Sequence, residues 1–240
     1  MGTRIQTPCG ELYIYSFDLI DSRCYMLKEK DRLLIIDPGI HEDLLADAGD
    51  LKKAEVFLTH EHYDHIWGVN WLREHLDCTV HAGSVCADYI CNEKKNATRR
   101  FPLLFLQYPD KFKEVKETLE IPYTCEADES FLGEAVFTFT DHTLKAYETP
   151  GHSVGSCLYI LDDQLLFSGD SLLGNGNEMR FWTSSVEDYR ACVLGLTKSL
   201  DPDMTVCPGH GEPDRLGWFL DHIQFPNEKK IEGLRPLLFR

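Results

Sequence analysis

Hydrophobic residues along the chain form short runs whose spacing predicts two groups of β-strands. The first group comprises residues 11–17, 24–27, 32–36, 56–59 and 78–81, where apolar residues alternate with polar ones or form brief continuous runs. The second group comprises residues 135–140, 144–148, 156–161, 165–167 and 204–207. Two groups of strands with helices interspersed predict two sheets that pack face to face and carry helices on their outer sides.

Apolar residues at helical spacing appear between and after these strands. They predict helices over residues 42–49, 66–76 and 186–200. Ser185 and Asp188 offer a capping arrangement for the last of these helices. An Asp-Pro-Gly turn at residues 37–39 ends the first run of strands, since proline fixes φ and glycine permits an unusual one. His41, just beyond this turn, is interpreted as a surface residue.

Residues 92–122 differ in composition from the rest of the chain and are expected to form an insertion of helices and loops. The segment carries the basic residues Lys94, Lys95, Arg99, Arg100, Lys111, Lys113 and Lys116. It is either a solvated insertion or a lid whose positive charge attracts an anionic substrate. Its aromatic residues Phe101, Phe105, Tyr108 and Phe112 either line a pocket or pack the insertion onto the core.

Length and composition favour a single globular domain over residues 1–240, with a short tail from about 216 to 240. Hydrophobic residues make up 43% and charged residues 27%, which is typical of soluble proteins. Nine scattered cysteines favour a reduced, cytoplasmic chain, and we expect no membrane span. A net charge of −16 repels phosphate backbones, so we expect a small-molecule substrate and no nucleic acid.

The most informative stretch is His60-Glu61-His62-Tyr63-Asp64-His65, between a predicted strand and a predicted helix. Three imidazoles and a carboxylate in so short a span favour metal binding over a polar loop that caps a helix. Residues two apart in an extended segment point to the same side, so His60 and His62 can reach one ion. Asp64 and His65 then point elsewhere, most simply at a second ion.

Three further motifs share one design, in which a strand ends at a glycine-containing turn that presents one ligand-type residue. They are Thr-Pro-Gly-His-Ser at 149–153, Phe-Ser-Gly-Asp-Ser at 167–171 and Cys-Pro-Gly-His-Gly at 207–211. Each motif alone is weak evidence, but their order after the histidine cluster is specific. We assign one ion to His60, His62 and His152 and the other to Asp64, His65 and His210, with Asp170 bridging both. This set leaves room for a bridging water, as catalytic metal sites do.

The motif order over about residues 10–215 resembles the metallo-β-lactamase-fold hydrolases, especially their glyoxalase II-like branch. The resemblance implies an α+β fold built as a four-layer αββα sandwich, with metals at one edge between the sheets. It also implies that Asp37 orients metal-bound imidazoles without binding metal. Class B1 enzymes of this fold use a cysteine ligand and lack the last histidine of the cluster, whereas His65 is present here. Glyoxalase II itself has a helical C-terminal domain that binds glutathione. Only 30 residues follow His210 here, so we expect that domain to be missing or vestigial, and involvement of glutathione stays open.

These observations lead to the hypothesis of a dinuclear hydrolase that attacks a carbonyl ester, thioester or lactone with a metal-bridging hydroxide. The cofactors are two divalent ions, zinc in first place and iron or manganese as alternatives. The resemblance suggests that Asp64 also passes a proton onward. The alternatives are a mononuclear iron enzyme similar to persulfide dioxygenases, a phosphodiesterase, and a metal-binding scaffold without activity. Phe181 and Trp182 are candidates for the mouth of the pocket.

Overall fold

The computed structural model describes residues 2–174 and 183–225, which form two mixed β-sheets flanked by helices. The first sheet has seven strands in sequential order. They are β1 Thr3–Thr7, β2 Gly10–Phe17, β3 Ser22–Glu29, β4 Arg32–Ile36, β5 Lys53–Leu58, β6 Asp77–Gly83 and β7 Glu129–Phe131. Neighbours from β1 to β4 are antiparallel, whereas β4, β5, β6 and β7 run parallel.

The second sheet has six strands in the order β13-β12-β11-β10-β9-β8. They are β8 Glu134–Phe139, β9 His142–Glu148, β10 Cys157–Leu161, β11 Leu165–Gly169, β12 Thr205–Pro208 and β13 Asp214–Arg215. Strands β11 and β12 are parallel, and the other neighbouring pairs are antiparallel. Each sheet therefore contains parallel strands whose carboxyl ends can present loops at a common edge.

Helices cover the outer side of each sheet. Those of the first half are α1 Glu42–Ala48, α2 Tyr63–Ile66, α3 Val69–His75, α4 Ser84–Ile90, the 3₁₀-helix Thr98–Phe105 and α5 Pro109–Thr118. Those of the second half are α6 Val186–Asp188, the π-helical turn Tyr189–Val193, α7 Leu194–Thr197 and α8 Leu216–Asp221. No described helix combines the length and apolar character needed to span a bilayer.

Alternating side chains along the central strands separate three apolar layers. In β4, Leu33 and Ile35 pack under the helices of the first sheet, whereas Leu34 and Ile36 pack between the two sheets. In β10, Tyr159 faces the space between the sheets and Ile160 faces the outer helices. This period of two, buried on both faces, produces the four-layer αββα sandwich and confirms the predicted fold class.

The helix predicted over residues 66–76 is wrong as a single element. It begins earlier, as α2, and is interrupted before α3 at Gly68, whose backbone N–H donates to the carbonyl of Pro38 at 2.9 Å. A Cβ atom at Gly68 would lie 2.4 Å from the carbonyl carbon of Gly39. The interruption thus lets the backbone pack directly on the Asp-Pro-Gly turn at residues 37–39.

The remaining predicted elements lie within a few residues of the observed ones. Ser185 caps α6 by accepting from the backbone N–H of Asp188, as the sequence predicts. The helical run that starts there ends at Thr197 rather than at residue 200.

The interpretation of His41 as a surface residue is wrong. Its ring is half-buried and stacks on Tyr15, and burial lowers the pKa of this imidazole to about 4.

Aromatic residues of the insertion mostly pack it onto the core, which resolves one of the two alternatives that the sequence leaves open. Phe101 and Phe105 are buried, and Phe112 packs against the same apolar layer as α3. Tyr108, in contrast, is exposed. Phe101 also reaches the cleft described below, so the two alternatives overlap at this residue.

Candidate metal centre

Four loops converge at one edge of the sandwich and bring all seven proposed ligands together. His60, His62, Asp64 and His65 follow the carboxyl end of β5. His152 lies in the loop between β9 and β10, Asp170 directly follows β11, and His210 follows β12. Because each ligand comes directly from the end of a strand or from a short connection, the sheets fix its position.

One group of four side chains places its ligand atoms around a single point. His62 Nδ1 lies 3.0 Å from both His60 Nε2 and His152 Nε2. Asp170 Oδ2 lies 3.4 Å from His152 Nε2 and 4.0 Å from His60 Nε2. All four residues are buried, and three imidazoles with one carboxylate match the ligand types that zinc and iron accept.

A second group lies on the other side of the same carboxylate. Asp64 Oδ2 is 3.2 Å from His65 Nε2 and 3.3 Å from His210 Nε2. Asp170 Oδ1 is 3.4 Å from each of these two imidazole nitrogens. Asp170 therefore directs one oxygen at each group, which is the bridging position predicted for it.

Two buried atoms support the assignment of this cluster to metal binding. His65 Nε2 and Asp170 Oδ1 are shielded from water and make no hydrogen bond within the described residues. A buried polar atom without a hydrogen bond is costly, so such atoms call for a ligand. The ligand atoms of each group lie within 4.8 Å of one another, so the side chains present fit divalent ions.

Asp37 orients two of the imidazoles, although it belongs to neither of the two ligand groups described above. Its carboxylate accepts from His65 Nδ1 at 2.9 Å and from the hydroxyl and the backbone N–H of Thr59. Since the Thr59 hydroxyl donates to Asp37, it accepts from His60 Nδ1 at 3.0 Å. Both histidines consequently direct Nε2 at the centre, as the resemblance implies for this aspartate.

The loop carrying His210 is held against the first sheet. His210 Nδ1 lies 3.0 Å from the carbonyl oxygen of Ile20, to which it can only donate a hydrogen bond. The other ring nitrogen of His210, Nε2, therefore faces the centre. The backbone of Gly209 accepts from Arg23 N–H at 2.8 Å. A Cβ atom at Gly209 would lie 2.2 Å from Asp170 Oδ1, so the glycine of this motif is needed for close approach.

Glu61 is a residue of the cluster whose role sequence reasoning missed. It is buried, and its Oε2 accepts from the Ser153 hydroxyl at 2.8 Å. This contact ties the loop of His60 and His62 to the loop of His152. No sequence pattern indicates the contact between Glu61 and Ser153, because the two residues are 92 positions apart and neither occupies a ligand position of the motifs.

Charge is distributed unequally between the two groups. Burial opposes ionisation of Asp64 and Asp170, but the neighbouring imidazoles outweigh it and hold the pKa of each carboxyl well below its usual range. Burial also disfavours protonated His210, yet Asp170 and Asp64 raise its pKa to about 10. Burial among other imidazoles instead lowers the pKa of His62 to about 3. Burial also lowers the pKa of His60, so His60 and His62 are neutral at pH 7, whereas a metal must displace a proton from His210.

A cleft of about 750 Å³ opens onto the cluster. Among its lining residues are the ligands His62, Asp64, Asp170 and His210 and, from the insertion, Ala97, Arg100, Phe101 and Leu104. The acidic residues Asp21, Glu212 and Asp214, called the rim below, also line it. A volume of this size accommodates a small molecule next to the metal ligands.

The other histidines do not belong to the ligand groups found among the described residues. His81 is buried and hydrogen-bonded to Glu55 at 2.7 Å, and His142 pairs with Asp162. His75 and His222 contact backbone carbonyls of their own helices. Phe181 and Trp182, the candidates for the pocket mouth, and the end of the tail from residue 226 onward lie outside the described residues.

Comparison with known proteins identifies the class that this fold and site define. The model of the metallo-beta-lactamase superfamily matches residues 18–210. The chain therefore belongs to the metallo-beta-lactamase superfamily, which confirms the family resemblance. A curated relative, the Beta-lactamase-like protein 2 homolog of Drosophila melanogaster, is 27% identical over 231 residues, which cover 85% of this chain and 69% of the relative.

Three solved structures share the fold at low sequence identity. A B3 metallo-beta-lactamase, BLEG-1, is 23% identical with a TM-score of 0.68, over 92% of this chain and 97% of that one. TTHA1623 in a di-iron-bound form is also 23% identical with a TM-score of 0.67, over 89% and 100%. ETHE1 from Myxococcus xanthus is 18% identical with a TM-score of 0.64, over 95% and 91%.

Proposed function

We propose that this protein is a dinuclear metal-dependent hydrolase that cleaves a carbonyl ester, thioester or lactone. The observation that carries the proposal is the position of Asp170, whose two oxygens face two separate groups of ligands. A bridging carboxylate between two three-ligand groups is typical of paired metal ions. The adjoining cleft supplies room for a small-molecule substrate, which is the partner we expect.

Two divalent ions bound here would supply a nucleophilic water of lowered pKa and a positive charge that polarises the carbonyl oxygen. Zinc is our first assignment. TTHA1623, which shares this fold, has been crystallised in a di-iron-bound form, so iron is the main alternative and manganese the next. The ligand atoms, all nitrogen and carboxylate oxygen, accept each of these metals.

Asp64 is the residue to which we assign proton transfer. It lines the cleft, and its low pKa keeps the carboxylate ionised at neutral pH. An ionised carboxylate at this position can accept a proton from an attacking water and release it toward the leaving group. Since Asp64 also belongs to the second ligand group, its loss affects metal binding and proton transfer together.

The test is hydrolysis of a panel of esters, thioesters and lactones by zinc-loaded protein. We expect activity in the parent chain and a loss of at least about 100-fold in kcat/KM for His152→Ala and His210→Ala. His75→Ala is the matched control, since this exposed histidine contacts only its own helix. Equal activity in all three variants would contradict the proposal, and so would absence of hydrolysis across the panel.

Two competing activities give distinct signs in the same preparation. An iron-dependent oxygenase similar to persulfide dioxygenases would consume oxygen in the presence of a thiol substrate and lose activity under anaerobic conditions. A phosphodiesterase would cleave phosphate esters, and binding of nucleic acid would weaken steeply with salt. Either result without carbonyl hydrolysis would replace our proposal.

A further inference from the structure

Three of the residues that line the cleft, Tyr63, Phe101 and Leu104, are called the apolar wall below. It begins at Tyr63, which stands between the ligands His62 and Asp64 in the chain, and continues through Phe101 to Leu104 on the insertion. The rings of Tyr63 and Phe101 lie 4.8 Å apart between centroids. The wall therefore links the predicted reaction centre to the insertion through two aromatic rings in contact.

The inner part of this wall is buried and packed, whereas its outer part is exposed. Tyr63 and Phe101 are 3% and 6% exposed, and the ring of Tyr123 packs edge-on against Tyr63. Leu104, in contrast, is 53% exposed although it lines the cleft. An exposed leucine at the end of a fixed aromatic surface gains favourable burial when an apolar ligand covers it.

The charged residues on the rim do not continue this surface. Asp21 and Glu212 pair with Arg23 at 3.1 and 2.7 Å, so both carboxylates already have a cationic partner. With Asp214 also in the lining, acidic side chains outnumber the basic Arg100 around the cleft, which disfavours a negative charge on the substrate. The wall thus favours a neutral apolar group directly beside the ligands.

We propose that Tyr63, Phe101 and Leu104 form an acyl-binding subsite and that Leu104 sets the preferred acyl length. The inference rests on the proposed hydrolase function and names its substrate class, esters or thioesters of medium-length aliphatic or aromatic acids. Leu104 acts by contact with the acyl group. It lies on the helix Thr98–Phe105 of the insertion, so this subsite gives the insertion a function.

The first experiment compares nitrophenyl esters of acetate, butyrate, hexanoate and octanoate as substrates of the zinc-loaded protein. We expect kcat/KM to rise by about threefold per added methylene until the wall is covered. Leu104→Ser should flatten this rise, so that the ratio of kcat/KM for octanoate to kcat/KM for acetate falls by at least about tenfold. Leu106→Ser is the matched control, because Leu106 is 60% exposed but lies outside the cleft lining.

The second experiment measures binding of acetate and octanoate to the same zinc-loaded protein by calorimetry. It separates failure of the subsite from failure of the proposed reaction, because it needs no turnover. Tighter binding of octanoate, lost in Leu104→Ser, supports the subsite even if no ester is hydrolysed. Equal binding of both acids would overturn the subsite. A preference for succinyl over butyryl esters as substrates would also overturn it, if Arg100→Gln removes that preference. Arg99→Gln is the control for that last arm, since Arg99 pairs with Glu93 and does not line the cleft.

Discussion

At the scale of single residues, the proposed metal centre depends on side chains that orient the proposed ligands as much as on those ligands themselves. Asp37 is 2% exposed and receives three hydrogen bonds, two from Thr59 and one from His65. Through Thr59 it also fixes the imidazole of His60. One carboxylate therefore sets the tautomer of a histidine in each ligand group.

Replacement of Asp37 by alanine should weaken zinc binding by about 10- to 100-fold, because His65 and His60 lose the partners that orient them. Competition with a chelating dye measures this affinity. Asp128→Ala is the matched control, since Asp128 also accepts from a backbone N–H, at 2.7 Å, but lies apart from the ligands. Unchanged affinity in Asp37→Ala would show that the observed hydrogen bonds do not orient the imidazoles.

The pH dependence of metal binding should differ between the two ligand groups. Asp170 and Asp64 raise the pKa of His210 to about 10 against the effect of burial, so metal competes with a proton there at every pH below that value. Asp64, Asp170 and Asp37 likewise hold the pKa of His65 well above its usual value against the effect of burial. With two imidazoles to deprotonate, affinity for the second ion should rise by up to about 100-fold per pH unit between pH 6.5 and 9. Burial lowers the pKa of His62 to about 3, so the first ion should bind with little change over this range.

Stepwise zinc titrations at several pH values measure both affinities. The sign follows from proton competition: a histidine protonated before binding loses affinity as pH falls, whereas one already neutral does not. Parallel pH dependence of the two steps would contradict the unequal charge distribution of the two groups.

At the scale of elements, each ligand sits where a strand ends and the chain turns, and the turns are fixed by close backbone contacts. Gly68 is the clearest case, because it separates α2 from α3 and packs on the turn that contains Asp37. A Cβ atom there would lie 2.4 and 2.5 Å from the carbonyl carbon and oxygen of Gly39. These atoms belong to the backbone, so no flexible side chain can move away to make room for the Cβ atom.

Gly68→Ala should therefore lower the free energy of unfolding by about 1–3 kcal/mol, as overpacking of a tight contact does. Denaturant unfolding followed by circular dichroism measures the change. Gly195→Ala is the control, because Gly195 lies in helix α7 with open space around it and alanine favours helix by about 0.5–1 kcal/mol. A neutral Gly68→Ala would mean that the turn at residues 37–39 can shift without cost.

Sequence patterns predicted the central elements and the ligand loops well, because those strands are apolar on both faces and the motifs lie at their ends. They missed the strands β1, β7 and β13, which are short and largely exposed and therefore carry little hydrophobic signal. They also missed helix α4, and they assigned to the tail the helix α8, whose Leu216 and Phe219 are buried. The interruption at Gly68 and the contact of Glu61 with Ser153 depend on residues distant in the chain. Local periodicity contains no information about such contacts.

At the scale of the whole molecule, the metal centre joins the two sheets. Its ligands come from loops of both sheets, so bound ions would connect the two halves of the sandwich. The arrangement agrees with the family to which the chain belongs, and the cleft beside it is bordered by residues of the insertion. Metal binding and global stability should consequently be coupled.

Removal of metal by a chelator should lower the thermal unfolding temperature by about 5–10 °C. An ion present at 100 times its dissociation constant stabilises the native state by about 2.7 kcal/mol, and a chain of this size shifts by about 2–4 °C per kcal/mol. Differential scanning calorimetry before chelation, after chelation and after zinc is restored measures the effect. An unfolding temperature that ignores all three treatments would argue against a metal that links the sheets.

Metal content tests the central claim most directly. Elemental analysis of protein purified without added metal, with oxygen uptake and ester hydrolysis measured on the same sample, gives the number and kind of ions together with the chemistry. We predict two divalent ions per chain, one in His210→Ala, and hydrolysis that consumes no oxygen. One iron per chain with thiol-dependent oxygen uptake, or no metal even after reconstitution at neutral pH, would contradict the account.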